Sequence, residues 1–435
     1  MNQLDKALLN GSLLDYIDRT AVDLLDRWSS HQSWWDRRLD AGIDPYSKFT
    51  STKIATECEA GLRNGGRLSG VNFGSQEYLN LSSHPEVHKA AKKAIDDFGV
   101  HSAGSAALMG NTRLSMELEE RLASFFGYKD CTVFPTGWGA GYGVIKTLVG
   151  PEDYVVIDNL AHACLHEGAR GATANVISFP HLSHEHVLKH LERIRAENPN
   201  VGILVVTETV FSMDSDVPDI STLQSTCKKH SATLLVDAAH DMGAIGDNGG
   251  GYLEIQGISG IPDILMGSFS KTFASNGGYV ACNNPNLKLA LRYGCGPLTF
   301  TNALSPIQCS IVIKCLDIIC SNEGAELRGK LLSNVMYMRK NMTENSFDVL
   351  GKSSAIVPVI LGDNAISRLI THHTLKNGGI TNLVEYPAVR RNTSRWRLQV
   401  MANHTKTQID RFIDIAVDAR TVANEQLEHI NKSGD

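Results

Sequence analysis

Residues 267–280 read GSFSKTFASNGGYV, a single lysine, Lys271, set among serines and glycines just after the apolar run IPDILM. Lysine is costly to bury and is mostly exposed, so a surface turn that happens to hold an amine is the plain reading. The neighbours supply hydroxyls and backbone N–H groups and no carboxylate, which suits a reactive amine instead. The choice rests on how the surrounding segments end.

From about residue 70, short apolar runs alternate with helical patterns. DYVVID (153–158), NVISF (175–179), GILVVTE (202–208), ATLLVD (232–237), DILMGS (263–268) and GYVAC (278–282) read as buried strands. SMELEERLASFFG and SHEHVLKHLERIRAE read as helices. The alternation predicts an α/β domain with a mostly parallel sheet. Residues 1–65, with LLDYIDRTAVDLLDRW and the paired Trp34 and Trp35, read as a helical arm, and residues 66–298 as the large domain. Residues 299–435 read as a smaller α+β domain: one long helix from SPIQCS to RKNM, strands AIVPVIL and RWRLQV, and a last amphipathic helix.

The 435 residues are 42% hydrophobic and 20% charged with a net charge of −6, which speaks for a globular chain and against nucleic acid or a membrane surface as partner. No apolar stretch is long enough for a transmembrane segment. The acidic, amphipathic N-terminus has no basic n-region or apolar h-region, so no signal peptide is expected. Nine scattered cysteines without a CxxC pair fit reduced thiols and a cytoplasmic setting, not a disulfide framework or a zinc site.

In parallel sheets ligands sit at the carboxyl ends of the strands. Those ends carry Asp158 then His162, Glu208 then Ser212, Asp237 then His240, and Ser268 then Lys271. Asp237 closes an apolar run, so its carboxylate needs a donor or a cation. It either caps the next helix or faces a protonated heterocyclic nitrogen, with His240 near the same ring. In FPTGWGAGYGVIKTL (134–148) small residues precede a helical pattern whose free N–H groups suit a phosphate, although neither G-x-G-x-x-G nor GK[ST] is present. A cradle and a plain turn both fit. His162 and His166 stand four apart without an HExxH, so no metal is expected, and His162 suits stacking on a flat ring. The histidines of FPHLSHEHVLKH read as a solvated helix start with Ser183 as N-cap. Pyridoxal phosphate (PLP) needs an amine for a Schiff base, an acid at its ring nitrogen, an aromatic on its face and donors for its phosphate. Lys271, Asp237, His162 and the Gly137–Trp138 turn answer those needs.

VDAAHDMG followed by GSFSKTFASNGGYV resembles the D-x-x-H and S-K…GG pair of the α-oxoamine synthases, PLP-dependent transferases of fold type I (aspartate aminotransferase-like). The likeness runs from about residue 68 to 415 and takes in SQEYLNLSSHP, LEERLASFFG, PTGWGAGYGVIKTL, ETVFSMDSDVPDI, LTFTNALSP and RLQVMANHT. It implies that Lys271 forms the Schiff base, Asp237 pairs with the ring nitrogen, His240 with the ring hydroxyl, and His162 stacks on the ring. It also implies that Gly137, Trp138, Ser268 and Ser270 hold the phosphate, joined by Thr301 from a second subunit of a homodimer. Ser212 lies near the ring, and Arg397 holds a substrate carboxylate. The implied reaction is a decarboxylative Claisen condensation of serine, alanine or glycine with an acyl thioester of coenzyme A or a carrier protein. Its products are an α-amino ketone, CO2 and free thiol.

The chain departs from the family pattern at Gln76 and Glu77, Ala106, Ser115 and Ala238, which bears on substrate. DPYSKF (44–49) is similar to sphingolipid-type members, and EGAR after His162 to autoinducer synthases. An aminotransferase of the same fold typically carries an arginine eight residues after the lysine, where this chain has Tyr279. A PLP-dependent aldolase or lyase, and a non-catalytic partner subunit, are further readings; retention of Lys271 speaks against the latter.

Overall fold

A computed structural model of the chain describes residues 6–433 apart from 45, 47 and 64. Residues 1–5 of the expected arm, and Pro45 and Ser47 of DPYSKF, lie outside the described residues. The chain divides into two compact units, residues 77–212 with 216–331, and residues 1–76 with 213–215 and 332–435.

The larger unit is built on a seven-stranded sheet in the order Asp130–Phe134, Gly278–Cys282, Ile264–Ser268, Thr233–Asp237, Ile203–Glu208, Tyr154–Asp158, Val176–Phe179. Gly278–Cys282 runs antiparallel to both its neighbours, and the pairings from Ile264–Ser268 to Val176–Phe179 are parallel. Ile203–Glu208 is buried along its whole length, the reason it reads as an uninterrupted apolar run. All six expected strands form. Asp130–Phe134 is a seventh that the sequence reading did not include; its DCTVF lacks the aliphatic run of the others. Helices Gly137–Leu148 and Ala163–Ala172 pack on each other, and Val144, Ile145, Leu165 and Ala169 join Val155, Ile157, Val206 and Met266 in the core.

Two expectations for this unit are corrected. The long helix after residue 305 is two, Pro306–Ile319 and Asn322–Glu344, parted at Cys320 and Ser321. The first belongs to the larger unit, so no boundary falls at 298/299. It lies against Pro85–Phe98 and Arg113–Phe126, with Ser310 Oγ donating to the Ala90 carbonyl at 3.0 Å and Arg121 paired with Asp317 at 2.6 Å. The histidines of FPHLSHEHVLKH are not simply solvated: His181 bridges Asp158 and Asp216, each at 2.9 Å. Ser183 precedes the helix His184–Glu197 but does not cap it with its side chain.

The smaller unit holds two four-stranded sheets. One is ordered Lys48–Thr50, Glu57–Leu62, Arg67–Asn72, Gly379–Ile380; the other Asp348–Val349, Ile356–Gly362, Ser394–Gln399, Leu383–Val384. The arm is therefore not wholly helical. LLDYIDRTAVDLLDRW forms just the short 3-10 turns Leu13–Tyr16 and Asp26–Trp28. Asp18 and Asp23 accept from the backbone N–H of Thr20 and Leu25, local bonds that compete with a helix. Trp34, in helix Ser29–Asp40, is buried and stacks on Tyr16 at 4.6 Å. The arm is tied down by Arg368, which donates to the carbonyls of Leu8, Leu9 and Gly11 and pairs with Glu385. The terminal motif closes on His404, stacked on Phe73 at 4.2 Å, its Nδ1 accepting from Met401 N–H.

Candidate active site

Thr233–Asp237, Ile203–Glu208 and Ile264–Ser268 end side by side, and their carboxyl ends border a cavity of about 280 Å3. Asp237, His240, His162, Gly137, Trp138, Ser268, Ser270 and Lys271 all line it. So do Thr136, Cys164, Glu208, Met266 and Asn276, which the sequence reading did not assign to the site.

Lys271 sits in a tight loop. Phe269 and Phe273 are buried beneath it, Phe269 N–H donates to the Gly277 carbonyl, and Ala274 N–H to the Lys271 carbonyl. The two phenylalanines pin the backbone, leaving the lysine half-buried at the cavity. Gly277 closes the loop at φ +111°, where a side chain would be strained.

Asp237 is buried and accepts from Ala239 N–H at 2.9 Å, a turn within its own loop. Burial pushes its carboxyl up, while Lys271 and His162 pull it down. Glu208 stands in register with it on the neighbouring strand and is also buried. Burial and the charge of Asp237 raise the Glu208 carboxyl well above its ordinary range. His240 is oriented by the buried Tyr78, whose hydroxyl lies 3.0 Å from Nδ1. His162 precedes helix Ala163–Ala172, and its Nδ1 accepts from Cys164 N–H at 3.3 Å with the Cys164 sulfur at 3.0 Å. A backbone N–H can only donate, so the neutral ring carries its proton on Nε2.

At the far side, helix Gly137–Leu148 opens with Thr136 as N-cap, its Oγ1 accepting from Gly139 N–H at 2.9 Å. A Cβ on Gly137 would meet Ser268 Cβ at 2.5 Å, so glycine lets the helix start reach the strand end. Ser268 and Ser270 share a hydroxyl contact of 2.6 Å beside it. Free N–H groups at the positive end of a twelve-residue helix, together with two hydroxyls, make an anion seat. This donor set, with the amine and the carboxylate, fits the phosphate, aldehyde and ring nitrogen of PLP.

Ser212, half-buried just past Ile203–Glu208, and Thr301, exposed in the loop before Pro306–Ile319, do not line the cavity. Arg397, half-buried on Ser394–Gln399, belongs to the smaller unit. In the same unit, Asp214 of the ETVFSMDSD motif pairs with Arg395. Tyr279 is buried, its ring centroid 4.4 Å from Phe126 and 5.6 Å from Phe269. A larger cavity of about 680 Å3 lies at the opposite, amino ends of the central strands, lined by Ile203, Thr233 and Ile264 with Asp153 and Asp263. Both carboxylates there accept from backbone N–H groups, Gly150 and Gly202 for one and Leu234 for the other, and serve the fold.

The family model for class I and II aminotransferases matches residues 69–415. An 8-amino-7-oxononanoate synthase from Salmonella paratyphi B is 34% identical over 346 residues, 79% of this chain and 88% of that protein. A serine palmitoyltransferase from Sphingomonas paucimobilis is 33% identical over 391 residues, 89% of this chain and 90% of that one. Among solved structures, a point variant of the S. paucimobilis enzyme with a bound PLP–myriocin aldimine superposes with a TM-score of 0.86 at 31% identity, covering 92% of this chain and 99% of the other. The Sphingomonas wittichii serine palmitoyltransferase gives 0.86 at 29% identity, with 93% and 99% covered. With a family model over most of its length, and relatives this similar, the chain belongs to the class I and II aminotransferase family, in its α-oxoamine synthase branch.

Proposed function

We propose that the protein is a PLP-dependent acyltransferase that condenses a small amino acid, serine, alanine or glycine, with an acyl thioester, releasing CO2 and free thiol. The observation that carries this reading is the meeting, in one cavity, of Lys271, Asp237, two histidines and the anion-binding helix start at Gly137. Bound PLP supplies an aldehyde for imine formation and a ring that accepts the electron pair left when a bond to Cα breaks. The start of helix Gly137–Leu148, with the Ser268 and Ser270 hydroxyls, binds the phosphate. Asp237, ionised, holds the ring nitrogen protonated, which is what makes the ring an electron sink. His240, steadied by Tyr78, would hold the ring hydroxyl, and His162 would lie on the ring face. Lys271 would supply the amine that holds the cofactor's aldehyde and, lying at the same cavity, the base that moves the proton at the substrate Cα. Arg397 receives the substrate carboxylate through its guanidinium fork.

A homodimer is part of the same proposal. Leu108, Met109 and Phe300 are 85%, 90% and 89% exposed on two loops that the Ser105–Asn302 bridge joins, an apolar patch suited to a second copy. In that dimer Thr301, exposed next to Phe300, would serve the neighbour's phosphate site. The buried Tyr279 favours acyl transfer over transamination, because the position where aminotransferases typically grip phosphate faces the aromatic core.

The test measures thiol and CO2 released when each of the three amino acids is offered with acyl-CoA and acyl-carrier donors of several lengths. Stoichiometric release with one amino acid, abolished in Lys271→Ala, supports the proposal. A keto acid formed with no thioester present means transamination and sinks it.

A further inference from the structure

Glu208 has no part in the chemistry just proposed, yet it is 3% exposed and lines the same cavity. Its Oε1 accepts from the backbone N–H of His162 at 2.5 Å, the residue that opens helix Ala163–Ala172. On the next strand it stands directly beside Asp237. The titratable groups facing it are Asp237 from that strand, Lys271 from the loop after Ile264–Ser268, Asp158 from Tyr154–Asp158 and the Cys164 thiol from helix Ala163–Ala172. Two neighbouring carboxylates in a buried site do not both stay ionised. Lys271 favours the anion of both, but Asp237 has the stronger claim to the charge: after burial Lys271 is the largest influence on it, whereas at Glu208 the charges of Asp237 and Asp158 add to the burial.

We propose that Glu208 is a positioning residue, seated as a carboxylic acid, whose one oxygen fixes the backbone of His162 while the other keeps the proton, so that the negative charge of the cavity rests on Asp237. His162 is thereby clamped twice, at its backbone by Glu208 and at its ring Nδ1 by Cys164, with Nε2–H left as the ring's donor. The consequence for the cofactor rests on the proposed function; the protonation state and the clamp do not.

The first experiment therefore uses ligand-free protein. A neutral acid in the fold that ionises on unfolding weakens stability as pH rises above the ordinary Glu value. Glu208→Gln keeps the acceptor and removes the titration, so its melting temperature gains on wild type by about 3–6 °C between about pH 5 and pH 8. A constant difference, or a loss that grows with pH, means Glu208 is ionised in the fold and overturns the inference. The second experiment titrates PLP into Glu208→Gln and Glu208→Ala, the latter lacking the acceptor. The alanine variant binds about tenfold more weakly than the glutamine variant; equal affinities remove the positioning role. If wild type itself takes up no PLP, the proposed function fails, and the pH-dependent melting still decides the state of Glu208.

Discussion

Gly137→Ala is a sharp test of the anion seat, because its effect is set by distances. The added Cβ would stand 2.5 Å from Ser268 Cβ, 2.6 Å from its Oγ and 3.2 Å from its Cα. Ordinary carbon contacts are about 3.5–4.0 Å, so helix start and strand end must part by roughly 1 Å. Neither side yields cheaply. The strand is paired through Ser268 to Gly278, and a Cβ on Gly278 would in turn lie 2.6 Å from the Gly137 Cα. Overpacking of this kind costs about 1–3 kcal/mol in stability. The same shift draws an N–H donor away from the phosphate. A hydrogen bond to a charged group contributes about 1.5–3 kcal/mol, so losing one weakens PLP binding by about 10- to 150-fold. The assay is absorbance titration of PLP into apo-protein, with thermal unfolding alongside. Gly329→Ala is the control: it lies in Asn322–Glu344, where the added methyl would meet no atom within 4 Å, and gains up to about 1 kcal/mol from helix propensity. Wild-type PLP affinity and wild-type unfolding in Gly137→Ala would refute the reasoning.

Two further expectations concern pH. Burial opposes charge on His181, but its hydrogen bonds to Asp158 and Asp216, and their charges, raise it to about 10. The bridging imidazolium therefore stabilises fully below about pH 6.5 and loses its effect as pH rises through about 10. His181→Asn costs about 3 kcal/mol in urea unfolding at neutral pH, and the gap closes at high pH; a gap unchanged by pH contradicts the bridge. Burial pushes His404 down to about 3, against the pull of the Asn72 carbonyl. Its neutral ring supports the fold above about pH 6.5, and that support is lost as pH falls towards about 3. His404→Gln is less stable than wild type at neutral pH, and the difference narrows in acid; a widening one contradicts a neutral ring.

The central strands were legible because a strand buried on both faces must be an uninterrupted apolar run, and GILVVTE and ATLLVD are such runs. The strands Glu57–Leu62 and Arg67–Asn72 were not, since ECEAGL and RLSGVN bury just part of their side chains and carry glycines. In the cavity, Lys271, Asp237 and His162 announce themselves by standing at strand ends among residues that do not explain them. Glu208 stands at such an end too, and the signal that would have found it was its neighbour: two acids closing adjacent strands face the same space. Tyr78 and Cys164 are ordinary in sequence, and their roles rest on contacts that the fold supplies, one of them spanning 162 residues.

The setting of Tyr279 bears on how activities within this family diverge. Its ring is wedged among Phe126 and Phe269, with the hydroxyl against Gly267. Exchanging it for arginine would drive a guanidinium into that buried aromatic layer, where a charge is costly. Drift from this chain towards a transaminase-type phosphate grip therefore has to remodel the layer before it gains the cation, and an engineer who changes that one position would recover an unstable protein before a new catalyst.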